Sequence, residues 1–158
     1  MTLAAAVLDA LKSRGWMATA AESCTGGMVM AALTDVPGSS AVVDRGFVTY
    51  TNAAKQQMLG VSAATLNAHG AVSEEVAREM AAGALRHSDA QVAVAITGIA
   101  GPGGSEHKPE GRVCFAIATE TTPPVSETVE FGPLGRDKVR SAAAEKALTL
   151  LQIAANTA

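Results

Sequence analysis

The order of helix and strand signals along this chain predicts an α/β fold: a three-layer α/β/α sandwich around a mixed, mostly parallel sheet. Three observations carry that expectation. Helical and strand patterns interleave over most of the 158 residues. Residues 91–96 form a continuous apolar run, as a strand covered on both faces should. Hydrophobic residues make up 48% of the chain but aromatic ones only 3%, so the core must be built from Ala, Val, Leu, Ile and Met, which suits helices packed close on a sheet. The length fits one domain with one core, residues 1–158.

Each element has its own reason. In residues 3–14, Ala4, Val7, Leu8 and Leu11 recur at helical spacing, and Gly15 is a natural stop. Residues 16–21 read as a short strand, 23–27 as a small-residue turn, and 28–33 as a helix ended by Pro37-Gly38. Residues 42–50 read as a second strand. Thr51 or Asn52 can cap a helix running to Leu59, with Gly60 as its stop. Another short helix follows over 62–68. Ser73 caps a clearer one, with Glu74 and Glu75 in the first turn where the helix dipole favours acids. After the strand at 91–96, residues 97–111 read as a Gly/Pro loop. Two more strands, 113–119 and 125–131, are adjacent in sequence and so suited to antiparallel pairing, which is why the sheet should be mixed. Residues 136–152 read as the last helix, with Val139, Ala143, Ala147 and Leu150 on one face.

Composition removes several function classes. A net charge of -3 argues against a general nucleic-acid binder, which needs a basic face. Cys24 and Cys114 match no metal or redox spacing, and two cysteines make no disulfide framework at this length, so a reducing cytoplasm is expected. The N-terminal segment reads as an amphipathic helix and not as a signal peptide. No apolar run is long enough to span a bilayer, so no membrane partner is expected. His69, His87 and His107 are scattered without ligand spacing, and no metal or cofactor is expected. Ala-rich helix faces could bury against a second copy, which predicts a homodimer.

Four segments carry candidate chemistry. Residues 21–27, Ala-Glu-Ser-Cys-Thr-Gly-Gly, lie where a strand gives way to a helix, the junction where α/β folds bind ligands. Main-chain N–H groups there can hold a phosphate or an oxyanion, and Gly26 and Gly27 permit close approach. The same residues also read as a plain helix cap and turn, since Ser and Thr are favoured caps. Cys24 is a rival nucleophile to Ser23, or a small buried thiol; Cys114 reads as core. Lys55 falls in the first turn of its helix, where the dipole opposes a cation and would lower its pKa toward that of a base; taken alone it also reads as a solvated surface lysine. The loop from Thr97 through Gly98 and Gly101 to Ser105 can cradle phosphate or ribose, but matches neither the Walker nor the dinucleotide fingerprint. Arg136 and Arg140, one turn apart, could pin a phosphate or be a surface pair.

Taken together these segments resemble the CinA C-terminal domain family. The motif at 21–27 leads. Arg45-Gly46-Phe47-Val48-Thr49-Tyr50 with Asn52 and Lys55 follows, then His69-Gly70-Ala71-Val72-Ser73, Thr97-Gly98-Ile99-Ala100-Gly101-Pro102 and Lys108-Pro109. Five motifs in order over nearly the whole chain make the resemblance specific. Departures from the family pattern are Gly135 in place of an acidic residue before Arg136, Ser105 in the loop, and Glu110 and Arg112 flanking Gly111.

Stand-alone members of that family are nicotinamide-nucleotide amidohydrolases, so the resemblance implies hydrolysis of nicotinamide mononucleotide to nicotinate mononucleotide and ammonia. It implies a Ser/Lys mechanism without metal or cofactor: Ser23 as nucleophile, Lys55 as its base, and Tyr50 beside them to orient or relay the proton. Glu22, Thr25, Gly26, Gly27, Thr97, Gly98, Gly101, Arg136 and Arg140 would then contact the small-molecule nucleotide. The competing expectation is a non-catalytic nucleotide-binding or protein-interaction module, as some longer relatives bear competence-linked names.

Overall fold

A computed structural model describes residues 1–157. Five strands form one sheet: β1 (Ala18–Glu22), β2 (Val43–Val48), β3 (Val92–Gly98), β4 (Arg112–Thr119) and β5 (Val125–Glu130). Their spatial order is β2-β1-β3-β4-β5. β1 pairs parallel with both β2 and β3, while β4 is antiparallel to β3 and to β5. Four of the five strands therefore point the same way, and the sheet is mixed as the adjacent last strands require.

Helices cover both faces. α1 (Leu3–Arg14), α2 (Met28–Thr34) and α6 (Arg136–Asn156) lie on one side; α3 (Asn52–Leu59), α4 (Ala63–His69) and α5 (Glu74–Arg86) lie on the other. The period-2 alternation of β3 decides which residues meet which layer. Val92, Val94 and Ile96 point to the first layer, with Val113 and Phe115 of β4 beside them. Ala93 and Ala95 point to the second, next to Cys114, Ala116 and Ala118. The small side chains on that second face let α5 lie close to the sheet.

The ends of the elements moved where local bonds intervened. The first strand begins at Ala18, two residues later than expected, because Gly15 and Trp16 still donate to Lys12 and Leu11 at the close of α1. The second strand begins one residue late, at Val43, because a short 3-10 turn at Ser39–Ala41 precedes it. Thr97 and Gly98, expected in the loop, extend β3, where they pair with Cys114 and Val113. The last helix runs on to Asn156. At the other joints the expected caps act: Thr51 and Ser73 accept main-chain N–H groups at the starts of α3 and α5, and Gly60 closes α3; Ser62, expected as the first helical residue, is instead the cap of α4. No described helix is long and apolar enough to cross a membrane.

One consequence of the topology positions the site. From β1 the chain crosses by α2 to β2 on one side, then returns by α3, α4 and α5 to β3 on the other. The strand order thus switches beside β1, and the crevice outside the carboxyl ends of β1 and β3 is where such sheets take ligands.

Candidate active site

Ser23 leaves the end of β1 at that switch point, and its N–H donates to Ile96 O of β3 at 3.0 Å. The turn that follows is organised by Glu22. This carboxylate is fully buried and accepts from the N–H groups of Gly27 (3.1 Å), Val29 (3.1 Å) and Met30 (3.2 Å) at the start of α2. The N-cap of α2 is Gly27, which has no side chain to offer, so an anion from the preceding strand satisfies the orphan donors and complements the helix dipole. Gly26 (φ 58) and Gly27 (φ 109) make the left-handed turn that brings the helix back over Glu22. Arg140 braces the same turn from α6, donating from Nε to Cys24 O at 3.0 Å and from Nη2 to Thr25 O at 3.3 Å.

This arrangement leaves Ser23 free. It caps no helix, and its hydroxyl faces a cavity of about 410 Å³. Among the described residues, no acceptor is supplied to the main-chain N–H groups of Cys24 and Thr25 just beyond it. The Thr25 hydroxyl is buried and also lacks a partner.

Lys55 is the largest fully buried side chain, at 1% exposure. It stands at the fourth position of α3, one residue past the first turn. Its Nζ lies 3.0 Å from Ser23 Oγ, 3.0 Å from Thr49 O and 3.3 Å from Tyr50 O. Burial pushes the Lys55 pKa down from the ordinary lysine value, against opposing pulls from Cys24 and the Glu106 carboxylate. The direction agrees with the expectation from the helix dipole, but the cause is desolvation. The surface-lysine alternative is thereby corrected: α3 carries this side chain under the end of the sheet.

The three contacts of Nζ fit both protonation states: an ammonium has three N–H groups for the three oxygens, and the neutral amine that burial favours has two for the carbonyls and a lone pair for the Ser23 O–H. Cys24 sits beside them with its thiol pushed up to about 11, chiefly by burial, so at neutral pH it carries its proton.

The remaining cavity wall comes from three places. Thr97 is buried and its hydroxyl donates to Ala71 O at 2.8 Å, tying the 69–73 segment to β3. The glycine loop from Gly98 to Gly104 lines one side, held from behind by Glu110, whose Oε1 accepts from Gly103 N at 2.6 Å. Arg136 closes the mouth: Nη2 donates to the Tyr50 hydroxyl at 2.7 Å and Nη1 to Gly101 O at 2.7 Å. Tyr50 therefore meets Lys55 through its carbonyl, and its hydroxyl is engaged by Arg136 rather than by Ser23 or Lys55.

Of the residues singled out in the sequence, Ser23, Lys55, Tyr50, Thr97, Gly98, Gly101 and Arg136 line this cavity; Glu22, Thr25, Gly26, Gly27 and Arg140 do not. Glu22 faces away because its carboxylate is spent on three helix N–H groups, and Arg140 because it braces two carbonyls. The arginine pair is split by these tasks, so the two do not converge on one phosphate here. Glu106, Asn52 and Ser105 line the cavity as well. Glu106 gave no sequence signal as a site residue; its position follows from left-handed backbone at Glu106 (φ 53) and His107 (φ 63). Among the described residues, no three His, Cys, Asp or Glu side chains group to hold a metal ion.

Comparison with known proteins gives the family and the fold. The family model described as the CinA C-terminal domain matches residues 1–154. Nicotinamide-nucleotide amidohydrolase PncC of Escherichia coli strain K12 is 53% identical over 152 residues, covering 96% of this chain and 92% of that protein. The protein of the same name from Enterobacter agglomerans is 60% identical over 110 residues, covering 69% and 67%. The crystal structure of competence/damage inducible protein CihA from Agrobacterium tumefaciens superposes with a TM-score of 0.93 at 49% identity, covering 98% of this chain and 94% of that one.

Proposed function

The chain belongs to the CinA C-terminal domain family, and from that premise we propose that it hydrolyses the carboxamide of nicotinamide mononucleotide, releasing nicotinate mononucleotide and ammonia. Relatives 53% and 60% identical over the matched residues bear the name of that activity. The observation that carries the reading at the level of chemistry is the buried contact between Lys55 Nζ and Ser23 Oγ.

The proposed reaction runs through Ser23. Neutral Lys55 takes the hydroxyl proton as Oγ attacks the amide carbon, giving a tetrahedral oxyanion and an ammonium on Lys55. The free N–H group of Cys24, which lines the cavity beside Ser23, is the donor nearest to Oγ along the chain, and we assign it to that oxyanion. Collapse expels the amide nitrogen, which leaves as ammonia with the proton returned by Lys55. Water then attacks the acyl-serine with Lys55 again as base, and nicotinate mononucleotide departs. Tyr50 orients Lys55 through its carbonyl. Arg136, at the mouth, serves the nucleotide phosphate by exchanging the Tyr50 hydroxyl and Gly101 carbonyl for phosphate oxygens.

A non-catalytic module would give no role to a lysine buried on a serine, a costly placement unless the neutral amine is used. Incubation of the purified chain with nicotinamide mononucleotide tests the activity: ammonia and nicotinate mononucleotide should appear in equal amounts. A folded chain that binds the nucleotide and leaves it intact overturns the hydrolase reading. A homodimer remains part of the proposal, and a monomer by light scattering at micromolar concentration would remove it.

A further inference from the structure

We propose that Glu106 is a specificity residue that recognises the positive charge of the substrate's pyridinium ring, an inference that rests on the nucleotide reading above. Three lining side chains are of types that ordinarily carry a charge at neutral pH: Lys55, Glu106 and Arg136. Lys55 is held toward its neutral form by burial. The cavity is thus left with one carboxylate and one guanidinium, the pattern that suits a ligand carrying a cation at one end and an anion at the other. Nicotinamide mononucleotide is such a ligand, with a pyridinium ring beside its amide and a phosphate at the far end.

Placement supports the pairing. Glu106 is near enough to the reacting end to act on Lys55 through its charge, whereas Arg136 closes the mouth over Tyr50. The Glu106 carboxylate lies over Gly70: a Cβ there would stand 2.6 Å from its Oε2 and 2.9 Å from Lys108 Nζ. Lys108 is itself tied to His69 O (2.6 Å) and Val72 O (2.5 Å), so it forms a fixed support behind the carboxylate. Among the described residues Glu106 makes no hydrogen bond or ion pair of its own. The backbone pays for this position with two successive non-glycine residues at positive φ, Glu106 and His107, a strain that tends to accompany function. A carboxylate on a cavity wall whose neighbour Lys108 is committed to two main-chain carbonyls is open to a ligand.

The test compares two ligands that share ribose and phosphate and differ in ring charge: nicotinamide mononucleotide and its neutral 1,4-dihydro form. Dissociation constants are measured by calorimetry for wild type and Glu106→Gln, alongside ammonia release from the oxidised nucleotide. Gln keeps the shape and the same tolerance of left-handed φ, so folding is preserved. We expect Glu106→Gln to bind the cationic nucleotide about five- to tenfold more weakly, the scale of one partly solvated charge contact. The neutral form should change by less than about twofold. Equal weakening of both ligands would assign Glu106 to the ribose or to loop structure and overturn the proposal, as would no change in either. Charge-selective binding without turnover in wild type would sink the hydrolase reading and leave Glu106 in its role. Turnover with an unaltered affinity ratio would do the reverse.

Discussion

Lys55 Nζ lies 3.0 Å from Ser23 Oγ, although 32 residues separate them in the chain. The contact joins the end of β1 to the start of α3, and both groups are buried. Its energetics follow from a lowered amine pKa. Between the folded value and the ordinary value near 10.5, the unfolded chain holds one more proton than the folded one, so stability rises with pH across that window. Below the folded value the penalty is constant; above the ordinary value it vanishes. Lys55→Met has no such proton to exchange. Melting curves from about pH 9 to about pH 10.5 should therefore show wild type gaining on Lys55→Met as pH rises. A constant difference would mean that the amine is not depressed. In kinetics, kcat/KM should fall on the acid side as Lys55 takes up a proton.

Glu22 is the anchor of the nucleophile's turn. Glu22→Gln leaves one oxygen as acceptor where two served three N–H groups, and its amide would point N–H at N–H. Urea unfolding should show a loss of about 2–3 kcal/mol. Ammonia release should fall with it, because Ser23 adjoins the displaced turn. An unchanged midpoint would contradict the capping role.

Gly83 sets how close α3 approaches α5. A Cβ there would stand 2.0 Å from Leu59 O and 3.1 Å from Leu59 Cα, both backbone atoms that cannot step aside alone. Helix propensity favours Ala over Gly by about 1 kcal/mol, yet Gly83→Ala should destabilise by about 1–3 kcal/mol through overpacking. It also pushes on the helix that carries Lys55, so turnover should drop in the fraction that remains folded. A gain in stability would show that α3 moves freely.

Tyr50 separates two roles that its position in sequence could not. Tyr50→Phe keeps the carbonyl on Lys55 and removes only the hydroxyl on Arg136. Steady-state kinetics should give a KM raised about fivefold and kcat within about threefold of wild type. A kcat lower by a factor of about 1000 would place the hydroxyl in the proton path instead.

Much of this architecture was legible before the structure. Caps at Thr51 and Ser73, stops at Gly15 and Gly60, and the apolar run at 91–96 are local signals, and local signals survive folding. What the sequence could not show was where side chains go after the turn. Ser23 looks like a cap because Ser commonly is one; a buried carboxylate one residue earlier took that task. Lys55 looks like a surface lysine because its burial depends on a strand that ends 33 residues away. Arg136 and Arg140 share a helix face, yet packing against two different segments divides them. Glu106 was invisible because a loop's positive φ at a non-glycine residue has no composition signal.

The most direct measurement is the rate of ammonia release from nicotinamide mononucleotide by wild type, Ser23→Ala, Lys55→Ala and Cys24→Ala, each confirmed folded by its melting curve. The account predicts kcat lowered by a factor of about 1000 or more in the Ser23 and Lys55 variants and by less than about tenfold in Cys24→Ala. Retained turnover in Ser23→Ala, or turnover lost only in Cys24→Ala, would contradict it.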